Sequence, residues 1–278
     1  MILSIGGRFN MDIFQDYELF KSKFLAISSI DLNLYKERQM KRRITSFASK
    51  YGFSSYCSFL DEIMVNRELY DSFINYLTIN VSEFYRNPKQ WELLAKEILP
   101  QLSKVKNISD LKIWSSACST GDEPYTVVMI LNEFIPLNKI KVLATDIDLD
   151  AINKAKQGIY PARSIKDLPQ KYLDKHFKKI DDSNYQVSQE VRNCVDFRQL
   201  NLLSDTYPAN VDIIICRNVL IYFTEEAKDM VFKKFSQSLA KDGILFIGST
   251  EQIINYQMYN LKPIGTFFYR KQKGDLDG

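Results

Sequence analysis

The chain has 278 residues, a formal net charge of +3, 45% hydrophobic and 26% charged residues, the balance of a soluble globular protein of one large or two modest domains. No apolar run approaches the roughly 18 residues of a membrane span, and residues 1–10 lack the apolar core and small-residue cleavage site of a secretory leader. So small a net charge gives no argument for general nucleic-acid binding, and no such binding is expected; a single histidine, His176, argues against a His-dependent triad or a multi-His metal site.

Residues from about 12 to 80 have helical periodicity. Met40, Ile44, Phe47 and Tyr51 form one apolar face, as do Tyr56, Phe59, Leu60, Ile63 and Met64, and then Leu69, Phe73, Tyr76 and Leu77. The turn Tyr51-Gly52-Phe53-Ser54-Ser55 offers a serine N-cap between two of them. Lys36, Arg38, Lys41, Arg42 and Arg43 make a dense basic patch opposed only by Glu37.

From about residue 110 strands and helices alternate. The expected strands are 111–117, 140–145, 211–216, 244–248 and 266–270, with helices at about 123–134, 148–156 and 225–240 and a turn at Lys241-Asp242-Gly243. Such alternation predicts a mostly parallel sheet covered on both faces, with ligands at the carboxyl ends of its strands. Residues 159–200 break the rhythm with a polar helix and short β-like pieces, 184–187 and 193–198, and read as an insertion. His176 falls in its lysine-rich stretch, 171–179, and is expected at the surface. Cys57, Cys118, Cys194 and Cys216 form no CxxC pair and read as reduced thiols of a cytoplasmic protein.

Three strand ends carry polar groups. The first strand leads into the small-residue turn Cys118-Ser119-Thr120-Gly121, which would admit a ligand to the backbone and to the N-terminus of the next helix. It lacks the GxGxxG pattern, and alone it is equally an ordinary loop. The second strand ends at Asp146, placed to accept both hydroxyls of a ribose, while Asp148 is better placed to cap the following helix. A third ends Cys216-Arg217-Asn218-Val219-Leu220-Ile221-Tyr222-Phe223, with Arg217 and Asn218 at the carboxyl edge and Tyr222 either in the same cleft or half-buried in the core. Together the first two describe a nucleoside site. Upstream, Asn80-Val81-Ser82-Glu83-Phe84-Tyr85-Arg86 is a polar linker that could close a cleft or simply be solvated.

These segments resemble, in order, the CheR-type chemoreceptor glutamate methyltransferase family. The matching pieces are 80–86, Cys118-Ser119-Thr120-Gly121-Asp122-Glu123-Pro124-Tyr125, Ala144-Thr145-Asp146-Ile147-Asp148, Asn201-Leu202-Leu203, 216–223 and Gly248-Ser249-Thr250-Glu251. The resemblance implies a helical domain over 10–80 that docks substrate, and a linker and helix over 81–109. It then implies an α/β, Rossmann-like class I S-adenosylmethionine domain over 110–274, with a small β-subdomain inserted at about 159–200. It implies cofactor contacts from Asn80, Ser82, Arg86, Glu123, Asp146, Asn201, Leu202, Arg217 and Asn218, and places Arg86 and Tyr222 near the transferred methyl. Ser82 stands where threonine is usual and Asp122 where glutamate is common.

The implied activity is methylation of glutamate side chains on the cytoplasmic helices of chemoreceptors, leaving S-adenosylhomocysteine, by a cytoplasmic monomer needing no metal. The basic residues Arg38, Lys41, Arg42 and Arg43 would dock those helices. The alternatives are another protein substrate in a chemosensory-like pathway, or a non-catalytic sensor of the cofactor. Some family members grip a receptor's C-terminal peptide through a glycine-containing loop of the insertion. Here residues 178–185 hold no glycine and carry Asp181 and Asp182, so independence from such a tether is expected.

Overall fold

The computed structural model describes residues 16–78, 80 and 82–272; the leader reading of residues 1–10 and Val81 of the linker lie outside them. The chain divides into two units, one up to Leu77 and one from Thr78.

Among the described residues the first unit contains four α-helices, α1 (Tyr17–Ser28), α2 (Glu37–Lys50), α3 (Tyr56–Val65) and α4 (Arg67–Leu77). Their apolar stripes meet in an aromatic core: Phe59 lies edge-on to Phe73 at 4.9 Å and Phe47 packs on Phe73 at 5.2 Å. Contacts of this kind add about 0.5–1.5 kcal/mol each beyond area burial. Ser55 caps α3 by accepting from the Ser58 N–H, as its place before the stripe suggested. Two stripe residues do not join the core. Tyr51 ends α2 and Met64 sits on the outer side of α3, and both are exposed. On α2, Arg38, Lys41 and Arg42 are exposed. Arg43 is half-buried, with its guanidinium 4.5 Å from the Tyr76 ring centre and a hydrogen bond donated to the Tyr76 carbonyl. It ties α2 to α4 and is not an open member of the patch.

The second unit opens with α5 (Pro88–Leu93), which runs through a π-helical turn, Leu94–Ile98, into α6 (Leu99–Ser103). The alternating segment follows: β1 (Ile113–Ser115), α7 (Asp122–Leu131), β2 (Val142–Asp146) and α8 (Leu149–Gln157). The interrupting stretch holds β3 (Ile159–Pro161), α9 (Gln170–His176), β4 (Phe177–Lys179), β5 (Asn184–Val187), α10 (Gln189–Arg192) and β6 (Val195–Gln199). The last described elements are β7 (Val211–Cys216), α11 (Glu225–Ser238), β8 (Leu239–Ile247), β9 (Leu261–Gly265) and β10 (Phe268–Lys271).

Among the described residues seven strands form the main sheet in the order β6-β2-β1-β7-β8-β10-β9, parallel from β6 to β8, with β10 antiparallel to both its neighbours. Every residue of β7 is buried, which explains the apolar run from Ile213 to Cys216; its one acidic residue, Asp212, accepts from the Lys106 ammonium at 2.6 Å and the Lys112 N–H at 2.7 Å. All ten residues of α7 are buried too, acidic Asp122 and Glu123 included.

Three particulars depart from expectation. Val195–Gln199, expected inside the insertion, pairs in parallel with β2 as an edge strand of the main sheet, and only β3, β5 and β4 form the small antiparallel sheet. The turn expected at 241–243 is absorbed into β8, where Asp242 takes a left-handed φ of 61° and the pairing with β7 slips register. His176 is not at the surface. It ends α9 at 2% exposure against the Tyr172 ring, its Nε2 has no hydrogen-bond partner among the described residues, and burial with nearby Lys175 pulls its pKa down to about 4. The flanking lysines that suggested a solvated face lie on the other side of that short helix, exposed like Lys171 and Lys175. The β4–β5 connection is closed by the Asp181 carboxylate, which accepts from the backbone N–H groups of Ser183 and Asn184 at 2.8 Å each.

Candidate functional site

Because β2, β1, β7 and β8 are adjacent and parallel, their carboxyl ends share one edge. The turn after β1 is fastened to both neighbouring strands: the Ser116 N–H donates to the Ile215 carbonyl at 2.8 Å and the Cys118 N–H to the Thr145 carbonyl at 2.9 Å. Its left-handed corners are Ser119, at φ 46°, and Gly121, at φ 92°. A Cβ on Gly121 would come within 2.8 Å of the Ala155 Cβ, so glycine serves both the backbone angle and the close packing of α8.

Asp146, at the end of β2, sets this turn. Its Oδ2 accepts from the Ser119 N–H at 2.7 Å and its Oδ1 from the Asp148 N–H at 3.0 Å. Burial pushes its pKa up to about 6 against the pull of those N–H groups. Asp148 caps α8 through its Oδ1, as expected, and its Oδ2 accepts from Thr78 at 2.7 Å and from the Asn80 amide at 2.6 Å. The Asn80 Oδ1 in turn accepts from the Ser119 hydroxyl at 2.9 Å. Asn80, Ser119, Asp146 and Asp148 thus form one connected group.

A second group surrounds Glu123. Its Oε1 accepts from the Ser115 hydroxyl at 2.8 Å and its Oε2 lies 3.7 Å from the Arg217 guanidinium. Burial pushes the Glu123 pKa up to about 7, with Arg217 opposing the rise. Next to it, buried Asp122 is raised to about 6 by burial, partly offset by the Thr120 hydroxyl, which donates to its Oδ2 at 2.6 Å; Ser82 of the linker is half-buried.

Arg217 leaves β7 and turns toward the linker. One of its terminal nitrogens donates to the Arg86 carbonyl at 2.7 Å, the Asn87 Oδ1 at 3.2 Å and the Gln90 Oε1 at 3.1 Å. Its charge centre lies 4.8 Å from the Trp91 ring and 4.9 Å from the Phe246 ring. Half-buried Arg86 stands between two left-handed residues, Tyr85 at φ 56° and Asn87 at φ 62°, and its carbonyl also accepts from the Trp91 indole at 3.0 Å. Two non-glycine residues with positive φ around one arginine store backbone strain at the linker.

After β7, Asn218 is half-buried at φ 62° and Tyr222 closes a short 3-10 turn, Leu220–Tyr222. Beyond β6, the Asn201 Oδ1 accepts from the Leu203 N–H at 2.9 Å, and the buried Leu202 has its carbonyl held by the Tyr207 hydroxyl at 2.6 Å. The cofactor candidates of the second unit therefore come from the ends of β1, β2, β6 and β7 and from the linker. Sequence reading assigned no role to Asn87, Gln90 and Trp91, which anchor Arg217, or to Glu251, which binds the loop after β7. The Asn87-Pro88 pair, a turn signal, and Glu251 within a matched motif were the available clues.

The chain matches the family model described as CheR methyltransferase, SAM binding domain, over residues 80–266, and that of the CheR methyltransferase all-alpha domain over residues 15–78. It is similar to the chemotaxis protein methyltransferase of Listeria monocytogenes, at 39% identity over 94% of this chain and 98% of that one. The corresponding protein of Borreliella burgdorferi is 34% identical, covering 94% and 96% of the two chains. Chemotaxis protein methyltransferase 2 of Vibrio cholerae is 32% identical over 95% and 93%.

Proposed function

The chain belongs to the CheR methyltransferase family and is an S-adenosylmethionine-dependent methyltransferase, and from that premise we propose that it esterifies glutamate side chains on the cytoplasmic helices of chemoreceptors. The observation that carries the site assignment is Asp146. An ionised carboxylate has about four acceptor directions, and the Ser119 and Asp148 N–H groups take one on each oxygen, so the vicinal hydroxyls of a ribose find acceptors at the strand end. Glu123 fits the other end of the cofactor: a buried carboxyl whose ionisation is disfavoured gains most from a cationic partner such as an amino group. Asn80, Ser82, Arg86, Asn201, Leu202, Arg217 and Asn218 complete the cofactor surround in this reading. The bound cofactor supplies a methyl group already activated on sulfonium.

The remaining work is placement. A glutamate carboxylate, with a pKa near 4.3, is already a nucleophile at neutral pH and needs no general base. Holding it in line at roughly 3 Å and excluding water can supply about 7–11 kcal/mol of the barrier. Arg86 offers the acceptor carboxylate a cationic partner, and the Tyr222 hydroxyl lies beside the reacting groups. Arg38, Lys41 and Arg42, exposed along α2, complement glutamate-bearing helices. In this reading the enzyme works in the cytoplasm, where it meets the receptors' methylated region. No helix among the described residues is long and apolar enough to cross a membrane.

Incubating the protein with methyl-labelled S-adenosylmethionine and a membrane fraction of its own organism tests the proposal. The expected product is label in receptor-sized bands, released as methanol by mild base, which is the behaviour of a carboxyl ester. Label confined to a different protein would reassign the substrate, and binding without transfer would make the chain a sensor.

A further inference from the structure

Glu251 lies four residues beyond β8, is 7% exposed, and spends its carboxylate on backbone N–H groups. Its Oε2 accepts from Asn218 at 2.7 Å and from Gly248 at 2.9 Å, and its Oε1 accepts from Leu220 at 2.6 Å. Two of these donors belong to the loop that leaves β7, and the third to the loop that leaves β8. The β7 loop cannot satisfy them itself. Asn218 is left-handed, so the chain turns away from the strand ladder and its N–H groups point inward at a fully buried Leu220. Unpaired, each such donor would carry a desolvation penalty. Gly248 shows the same demand independently. A Cβ there would overlap the Glu251 carboxylate and come within 2.8 Å of the Asn218 nitrogen, so the absent side chain is what lets the carboxylate reach across.

From this geometry we infer that Glu251 is a positioning residue for methyl transfer: its carboxylate fixes the shape of the loop 218–222 and so sets where Asn218 and Tyr222 stand on the carboxyl edge. The inference rests on the proposed role of Tyr222 only for its kinetic consequence; the clamp itself is a matter of backbone hydrogen bonds. A neutral amide cannot substitute, because one of its two ends would present N–H to N–H. A shorter carboxylate keeps the charge and loses the reach.

The test is Glu251→Gln in the full-length enzyme, with amide hydrogen exchange and single-turnover kinetics measured on the same sample. The clamp predicts at least a tenfold faster exchange at Leu220 and Asn218, with exchange at the core strand residues Ile213–Ile215 unchanged. It predicts a 10- to 100-fold fall in the transfer rate and a receptor KM within threefold of wild type. Combined with Tyr222→Phe, the two losses should fall well short of multiplying, since a displaced Tyr222 has little left to lose. Gly248→Ala pushes the carboxylate aside without removing it, provides the second variant if Glu251→Gln does not fold, and should reproduce both the exchange and the rate. Unchanged exchange at Leu220 in a folded variant overturns the clamp. Faster exchange with an unchanged transfer rate, where Tyr222→Phe alone is slow, overturns the positioning role. If Tyr222→Phe alone is as fast as wild type, the role of Tyr222 fails, and a wild-type transfer rate in Glu251→Gln then overturns the positioning role as well.

Discussion

The substitution Asp146→Asn separates the two tasks this residue performs. In the wild-type protein burial raises its pKa from 3.8 to about 6. A carboxyl raised in the folded state adds stability below the unfolded value, and that stability is lost as pH rises through the folded one. At pH 7.5 the ionised group therefore costs about 3 kcal/mol of folding free energy. A neutral amide removes that cost. It also turns one acceptor into a donor, so either the Ser119 or the Asp148 N–H loses its partner, at about 1–3 kcal/mol. The two effects nearly cancel, and urea unfolding of the free protein at pH 7.5 should move by no more than about 2 kcal/mol. Cofactor binding has no such compensation. Losing one charge-assisted acceptor for the ribose weakens it by about 1.5–3 kcal/mol, roughly 10- to 150-fold in Kd. Calorimetry with S-adenosylhomocysteine should show this, and should also show wild-type affinity falling below about pH 6 as Asp146 takes up a proton, with that part of the pH dependence absent in the variant. A variant binding within threefold of wild type, or a wild-type affinity flat from pH 7.5 to 5, would refute the ribose assignment.

Four further outcomes are expected. Tyr222→Phe should lower the single-turnover rate by tenfold or more with cofactor affinity within twofold, and a wild-type rate would return Tyr222 to the core. Arg38→Glu together with Arg42→Glu should raise the receptor KM several-fold and weaken its salt dependence while leaving cofactor binding alone; unchanged receptor kinetics would make that α2 face merely solvated. His176, with a folded pKa of about 4 against an ordinary 6.5, contributes stability that is present above pH 6.5 and is lost as pH falls toward 4. His176→Leu should therefore lose about 2 kcal/mol less than wild type between pH 7.5 and 5 in urea unfolding, and equal losses would show that the buried ring is not the acid-sensitive group. Receptor C-terminal peptides should bind weakly, because the β4–β5 turn is closed on the Asp181 carboxylate and lacks glycine; low-micromolar binding, with methylation lost on deleting the peptide, would refute this.

The alternation of short apolar runs with amphipathic helices was enough to read a parallel sheet from the chain, because strands buried on both faces are largely apolar, as β7 is from Ile213 to Cys216. Asp146 was legible for a related reason: a carboxylate directly after such a strand can only stand at its carboxyl edge. Residues that act through long-range contacts were not legible. Nothing local in Arg217 indicates that it would reach Arg86, Asn87 and Gln90, some 130 positions earlier, or that two rings would face its guanidinium. His176 was misread because a lysine-rich heptapeptide helix can still bury one side, and which side depends on what the fold lays against it. Val195–Gln199 buries Phe197, half-buries Val195 and exposes Asp196, Arg198 and Gln199, as an edge strand of either sheet could; only its pairing with β2 assigns it to the main one. Glu251 illustrates the division most sharply. Its place in a matched motif was visible in the sequence, yet its role exists only because β7 and β8 lie side by side, so that two loops more than 25 residues apart bring their N–H groups to one carboxylate.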